Sequence, residues 1–405
     1  MSNTNPNQPA VKPSMSVLFG AAFLMATSAI GPGFLTQTST FTAQYGAPLI
    51  MIILCAILMD ITAQMNIWSI IGVSGMRAQD IANKLLPGLG IFLAVIVSIG
   101  GLAFNVGNVG GVALGLNAMV GLDQKIGAVV AGCLGIIIFL NKNAKTIMDK
   151  VATVLVVAIK SQPPMGEVAK GVVAFDKFPT MFVVLTTLLG GSCGGYIPFS
   201  GAHRLVDAGV QGAGNFRRSV IQGVCTSGVV RILLFLAVLG TCTVGTTWVA
   251  ENAQIITDAA KGGNPAAEAF KLAAGDFGYR LFGLCLFSAG VSSVVGAAFT
   301  SVSFLKTLHP VIMKNERWFV VGFIAFSTLM MVIVGNAAQL LIIAGAVNGL
   351  ILPISLLCML AASRSKKIVG DYKHPMWLTI LGVVVVLVSG FVGIKAVPGI
   401  MKLFA

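Results

Sequence analysis

The sequence contains few charged residues for its length. Of 405 residues, 10% are Asp, Glu, Lys or Arg and 56% are hydrophobic, whereas an ordinary globular domain has about 25% charged residues. A soluble protein of this size would lack the charged surface that keeps it in water. The composition therefore predicts a membrane protein. It excludes a soluble enzyme or a nucleic-acid-binding module as a description of the whole chain.

The residues that build catalytic and metal centres are also scarce. Three His and seven Cys are scattered without CxxC or His/Cys ligand spacing, so neither a disulfide framework nor a structural metal site is indicated. The sequence has no HExxH motif, no P-loop and no Ser/His/Asp set. We expect no cofactor, no resident metal and no enzymatic activity; a membrane-embedded enzyme or a scaffold protein is the least favoured class.

Long apolar runs are abundant. A helix needs about 20 mainly apolar residues to cross a bilayer, and eleven such spans fit between residues 17 and 400. Their approximate limits are 17–44, 47–71, 90–120, 125–141, 144–160, 180–208, 219–246, 277–304, 318–336, 338–361 and 377–398. The sequence thus predicts an all-α, multi-pass membrane protein.

Lys and Arg are distributed unevenly between alternate loops. With the amino terminus inside, 16 of the 26 lie in cytoplasmic segments, nine outside and one, Arg231, within a span. Because cytoplasmic loops carry the excess of Lys and Arg, we expect a cytoplasmic amino terminus in a bacterial-type inner (plasma) membrane. The net charge of +13 then matches anionic lipid head groups and does not indicate nucleic acid. We expect the protein to be a monomer.

Two spans are interrupted by glycine and proline. The first contains Gly31, Pro32 and Gly33 within SAIGPGFLTQTST, and the sixth contains LLGGSCGGYIPFSGAH. Irregular backbone at membrane depth is tolerated where it is buried in protein or lines a cavity. Proline kinks and close helix contacts would explain either interruption alone. Two breaks five helices apart favour a transporter built from inverted repeats, with its substrate site between them.

Four segments resemble the Nramp divalent-metal transporters. Residues 28–75 resemble the first two helices of that family without a gap, LAFNVGNVGGVALGLN its third, GGYIPFS its broken sixth and SAGVSSVVGAAF its eighth. The resemblance implies the five-plus-five inverted-repeat fold of the amino acid, polyamine and organocation superfamily, with broken helices 1 and 6. It also implies a division into a disordered cytoplasmic tail (1–16), a first repeat with helices 1–5 (17–160), an extracellular loop (161–179), a second repeat with helices 6–10 (180–361), and a cytoplasmic loop with helix 11 (362–405).

This chain lacks the residues with which the family binds its metal and moves protons. Its Asp-Pro-Gly-Asn motif corresponds here to Gly31-Pro32-Gly33-Phe34, so the metal-binding carboxylate and amide are absent. The thioether and imidazole that flank the proline of helix 6 correspond to Ile197 and Phe199. The acidic residues that the family associates with proton movement correspond to Asn105 and Asn108. The resemblance therefore implies a divergent branch that keeps the scaffold and lacks both functions.

An uncharged site of this kind favours an anion. A desolvated divalent cation needs strong oxygen ligands, whereas the amino ends of half-helices attract negative charge. We expect a secondary transporter of a small polar anion, bicarbonate or a short carboxylate. The predicted substrate-binding residues are Gly31, Pro32, Gly33, Phe34, Gln37, Thr38, Asn105, Asn108, Gly194, Gly195, Tyr196, Ile197 and Phe199. The alternative is a transporter of a largely hydrated divalent cation, Mg²⁺ or Mn²⁺.

Two opposite charges lie within spans. Asp60 is about thirteen residues into the second span and Arg231 about twelve into the seventh, and these helices are symmetry mates in a five-plus-five repeat. Ionisable residues inside a membrane are candidates for function. Two interpretations stay open: the residues form a buried charge pair, or each extends separately toward the membrane surface.

Overall fold

The computed structural model describes residues 15–140, 161–245, 247–306 and 308–403, so the predicted tail and the fifth span, 144–160, lie largely or wholly outside the described residues. The helices of the first half are α1 (Met15–Ala29), α2 (Pro32–Tyr45), α3 (Leu49–Ser74), α4 (Ala78–Leu85), α5 (Leu89–Val120) and α6 (Gln124–Leu140). Those that follow are α7 (Met165–Gly171), α8 (Phe182–Cys193), α9 (Ile197–Asp207), α10 (Ala213–Thr241), α11 (Ala250–Ala259), α12 (Pro265–Leu305), α13 (Pro310–Lys314), α14 (Glu316–Val334), α15 (Ala337–Ala362), α16 (Lys366–Val369) and α17 (Met376–Lys402).

Eight segments of the described chain are long and apolar enough to cross a membrane, and the bent pair α1–α2 makes a ninth. The shorter apolar helix α6 coincides with the predicted fourth span. Apart from the fifth span, the predicted spans are therefore confirmed. The chain is a multi-pass α-helical membrane protein.

Three details differ from the sequence prediction. The seventh span ends at Thr241, where a two-stranded antiparallel ribbon follows, β1 (Thr243–Val244) paired with β2 (Thr247–Trp248). The predicted loop 161–179 contains α7 and most of a 3₁₀ helix (Phe175–Met181). The helix of the eighth span begins early, at Pro265, and is kinked at Ala274 and Gly275. Hydropathy predicts where long apolar segments lie, but it does not predict short strands or helices at the ends of those segments.

The two longest helices, α5 and α12, pack along each other through small residues. A Cβ on Gly115 would lie 2.6 Å from the backbone nitrogen of Phe287, and a Cβ on Gly283 would lie 2.9 Å from the Gly115 carbonyl oxygen. Such close backbone contact is the usual basis of helix association in membranes. The α5–α12 pair packs beside α2, the second half of the broken first span.

Candidate substrate site

The first helix break lies between α1 and α2. Pro32 is the first residue of α2, where its missing N–H leaves no hydrogen bond unmade, and Gly31 before it is extended (φ −97°, ψ −180°). The two helices are bent by 50° relative to each other. Every residue from Ala29 to Thr42 is buried, so this irregular backbone is enclosed by protein.

The second break lies between α8 and α9. Gly194 is extended and Gly195 has a φ of +57°, a left-handed conformation that glycine adopts without steric penalty. A Cβ on Gly195 would also overlap the side chain of Asn348 on α15. The turn therefore requires glycine at this position, and Pro198 lies in the first turn of α9.

Asn108 on α5 connects the two breaks. The Tyr196 hydroxyl at the second break lies beside the Asn108 side chain. At the first break, a Cβ on Gly31 would lie 3.5 Å from Asn108 Oδ1. The Nδ2 of Asn108 is buried and makes no hydrogen bond. The structure thus brings Gly31, Asn108 and Tyr196 together and leaves one amide donor free among them.

Gln37 extends from α2 toward α8 and α15. Its Nε2 donates a hydrogen bond to the Leu341 carbonyl oxygen at 2.8 Å, whereas its Oε1 is buried without a partner. Gly191 and Gly345 provide the room, because a Cβ on either would overlap the Gln37 amide. Gln37 therefore ties the broken first span to the tenth and presents one free acceptor.

Other predicted site residues have partners elsewhere. The Thr38 hydroxyl donates to the Phe34 carbonyl oxygen at 2.7 Å within its own helix, and Asn105 Nδ2 donates to Ser327 Oγ on α14 at 3.0 Å. The ring of Phe199 packs edge-on against Phe304, with centroids 5.0 Å apart. In this conformation these three side chains make hydrogen bonds or packing contacts within the protein. Gly33 and Ile197 are buried at the breaks, where Gly33 leaves room for neighbouring side chains.

Arg231 on α10 is the buried cation beside the first break. Its side chain is 2% exposed, and its Cζ lies 4.1 Å from the centroid of the Phe34 ring. Nη1 donates to the Leu188 carbonyl oxygen at 3.3 Å, whereas Nε and Nη2 are buried without a hydrogen-bond partner. A cation over an aromatic face is attracted by the ring quadrupole, more strongly when desolvated. Arg231 is therefore held in place by Phe34 and Leu188 with two donors unused.

Asp60 on α3 is also buried, at 2% exposure. Its Oδ1 accepts a hydrogen bond from Gln64 Nε2 at 2.6 Å, and the side chains of Ser192 and Cys193, which end α8, lie beside the carboxyl. Asp60 and Arg231 interact electrostatically, but no N–O pair between them lies within 4 Å among the ion pairs of the described chain. Of the two interpretations left open by the sequence, a direct salt bridge between Asp60 and Arg231 is not formed in this conformation.

Two residues of the site were missed by the sequence prediction. Asn348 donates through Nδ2 to the Gly100 and Ala344 carbonyl oxygens at 3.0 and 2.8 Å, while its Oδ1 lies unpaired against Gly195. Ser293 Oγ lies where a Cβ on Gly31 would approach to 2.8 Å. An amide in the middle of an apolar span was the available signal for Asn348. A Ser within an apolar span, such as Ser293, gives no comparable signal.

Residues 22–397 match the family model described as Nramp, natural resistance-associated macrophage protein-like. The chain belongs to the Nramp family. It is 47% identical over 393 residues to the membrane protein YcsG of Bacillus subtilis (strain 168), with 94% of each chain covered.

Solved structures agree on the fold of this Nramp protein. A mutant manganese transporter of Eremococcus coleocola superimposes with a TM-score of 0.73 at 16% identity, covering 98% of this chain and 90% of the other. MhsT in complex with L-phenylalanine superimposes with a TM-score of 0.62 at 13% identity, covering 98% and 99%. These likenesses show the fold that the resemblance predicted. Membership of the Nramp family identifies the protein as a membrane transporter and not an enzyme.

In this Nramp protein the first turn of α2 carries no carboxylate. Phe34 stands where the family pattern has an amide, and its ring is the platform for Arg231. Among the described residues, no group of three or more His, Cys, Asp and Glu side chains is arranged to hold a metal ion. The charge that contacts the first turn of α2 is the Arg231 guanidinium, through Phe34.

Proposed function

We propose that this Nramp-family transporter carries a small polar anion, bicarbonate or a short carboxylate, by alternating access between its two helix breaks. The observation that carries the proposal is the buried Arg231 guanidinium, which lies over Phe34 with Nε and Nη2 unpaired. Leaving donor atoms of a buried charge without hydrogen bonds is costly, by about 1–3 kcal/mol or more. An anion bound at these donors would offset that cost, and a cation would increase it.

The remaining free donor points to the same kind of substrate. Asn108 Nδ2 is unpaired between the breaks, and the first N–H groups of α2 have no intrahelical acceptor and carry the positive end of the helix dipole. All these groups donate hydrogen bonds to oxygen. Together with Arg231 they favour a ligand that presents several acceptor oxygens.

The alternative substrate is a divalent cation, Mg²⁺ or Mn²⁺, bound with most of its water. The comparisons favour it, because structural neighbours with a TM-score of 0.73 are manganese transporters. In this chain the unpaired Oε1 of Gln37 and the carboxylate of Asp60 are the groups that would serve it. The same fold also holds L-phenylalanine in MhsT, so the fold does not fix the cargo.

The surroundings of the transporter follow from its composition. We propose a bacterial-type plasma membrane with the amino terminus cytoplasmic, supported by the excess of Lys and Arg in the corresponding loops. Residues 17–160 and 180–361 would form the two inverted repeats, with 161–179 outside and 362–405 ending the chain as a cytoplasmic loop and helix 11. The partners would be the transported ion and the lipids, with the protein acting as a monomer.

Uptake into proteoliposomes tests the choice of cargo. Radiolabelled bicarbonate, lactate and pyruvate are offered to vesicles containing the wild type or Arg231→Met, and Mn²⁺ entry is followed by quenching of an internal dye. We expect saturable uptake of an anion that is lost in Arg231→Met and partly kept in Arg231→Lys. Mn²⁺ quenching by the wild type without uptake of any of the three anions would reject the proposal and establish the alternative.

A further inference from the structure

The unused edge of Arg231 has a specific shape. Nη1 is engaged by the Leu188 carbonyl oxygen and one face of the guanidinium is covered by Phe34. Nε and Nη2, the two unpaired atoms, lie side by side on the remaining edge. Their parallel N–H bonds match the two oxygens of one planar carboxylate, the bidentate arrangement that arginine favours. Arg231 is thus preorganised for one carboxylate group.

Asp60 is the carboxylate already present nearby. It acts electrostatically on Arg231 from α3, yet its oxygens stay beyond 4 Å from the guanidinium, and its Oδ1 accepts a hydrogen bond from Gln64 Nε2. The groups that face Asp60 are Gln64 from its own helix, Ser192 and Cys193 from α8, and Arg231 from α10; of these, Arg231 and the Cys193 thiol are titratable. Arg231 is therefore the one positive charge among the groups that face Asp60.

The charges of the site can be counted for each state. With no substrate, Asp60 and Arg231 sum to zero. When a carboxylate takes the free edge of Arg231, the sum becomes −1 in a buried site, and withdrawing the counter-charge favours the neutral form of a buried acid. The sum returns to zero if the Asp60 carboxylate binds one proton, forming an O–H bond. The proton enters with the substrate and leaves with it on the other side.

We propose that the protein is an electroneutral proton–carboxylate symporter in which Arg231 binds the carboxylate through its Nε–Nη2 edge and Asp60 carries the proton. This inference rests on the proposed anion substrate and adds the mode of binding and the coupling ion. It uses residues of α3 and α10, whereas the helix that the family associates with protons carries Asn105 and Asn108 here, which do not titrate.

Formate, the smallest carboxylate, is the probe for the test. Purified full-length protein is titrated with sodium formate against sodium chloride at equal ionic strength, and binding is followed by the shift in unfolding temperature. A pH indicator in weakly buffered solution reports protons taken up on binding. We expect one proton per formate bound and an affinity that falls about tenfold per pH unit once Asp60 is ionised in the empty protein.

Three variants separate the roles. Asp60→Asn, which is neutral like the protonated acid, should bind formate with no proton uptake and no pH dependence; Asp60→Ser serves if the amide variant does not fold. Arg231→Met should bind none. Asp258→Asn is the matched control, because Asp258 is a surface carboxylate on α11, and it should behave like the wild type.

The outcomes distinguish the anion site from the coupling role of Asp60. If formate does not stabilise the wild type, the proposed anion site is wrong, and the coupling inference falls with it. If formate binds through Arg231 but Asp60→Asn still takes up a proton, or the wild type takes up none, the anion site stands and the coupling role of Asp60 is rejected.

Discussion

Placing a carboxylate at position 31 should have opposite effects on an anion and on a cation. In Gly31→Asp the new side chain enters between the breaks, since its Cβ would lie 2.8 Å from Ser293 Oγ and 3.5 Å from Asn108 Oδ1. At about 5 Å from a bound anion and an effective dielectric constant of about 20, the repulsion is about 3 kcal/mol. Anion affinity should therefore fall roughly 100-fold.

Gly31→Asn is the matched control, because it has the same size and crowds Ser293 equally without a charge. The ratio of anion uptake between the two variants, measured as initial rates in proteoliposomes at equal protein, isolates the charge. Under the cation alternative, the aspartate restores the carboxylate of the family pattern and Mn²⁺ uptake should rise. Equal anion uptake by the two variants would refute the placement of the anion beside Gly31.

Three further predictions concern the neighbourhood of the site and the loop before α17. Asn108→Leu should slow transport but leave the ratio of protons to anions unchanged, because an amide does not titrate; a changed ratio would place the relay on α5. Gly195→Ala should lower stability by about 1–3 kcal/mol through backbone strain and overlap, seen as a lower unfolding temperature, whereas Gly214→Ala, with open space around its Cβ position, should not. Burial, with the nearby Arg217 and Arg364, lowers the pKa of His374 to about 4. Because the unfolded chain takes up this proton near pH 6.5, stability should fall as the pH drops from about 6.5 to 4, and His374→Ala should flatten that fall in thermal unfolding.

The helix breaks could be predicted because their cause is local. Pro32 and Pro198 each lack an N–H, and Gly195 alone among neighbouring residues adopts positive φ, so the chain leaves the helix at these points. The approximate limits of the spans could also be predicted, because hydropathy is likewise a local property of the sequence. The ribbon at Thr243–Trp248 was not predicted, because it depends on a few residues at the end of a span whose hydropathy does not distinguish strand from helix.

The partners of the polar residues could not be predicted. Sequence position gives the depth of Asp60 and Arg231 in the membrane but not the direction in which each side chain points around its helix. The contact of Arg231 with Phe34, which is far away in the sequence, could therefore not be predicted. Thr38 looked like a ligand, yet its hydroxyl bonds to the preceding turn, the usual alternative for Thr within a helix. Asn105 and Asn108 share one helix, and only the second reaches the breaks.

Charge balance is the physical argument for the proposed anion. Arg231 and Asp60 together are neutral when the site is empty. A divalent cation between the breaks would bring the buried sum to +2 beside a guanidinium whose free donors it cannot use, whereas a carboxylate with one proton keeps the sum at zero and occupies those donors. Since uncompensated charge costs several kcal/mol in a buried site, the replacement of the family's acid by Gly31 and of its amide by Phe34 is consistent with a change of cargo from cation to anion on an unchanged scaffold.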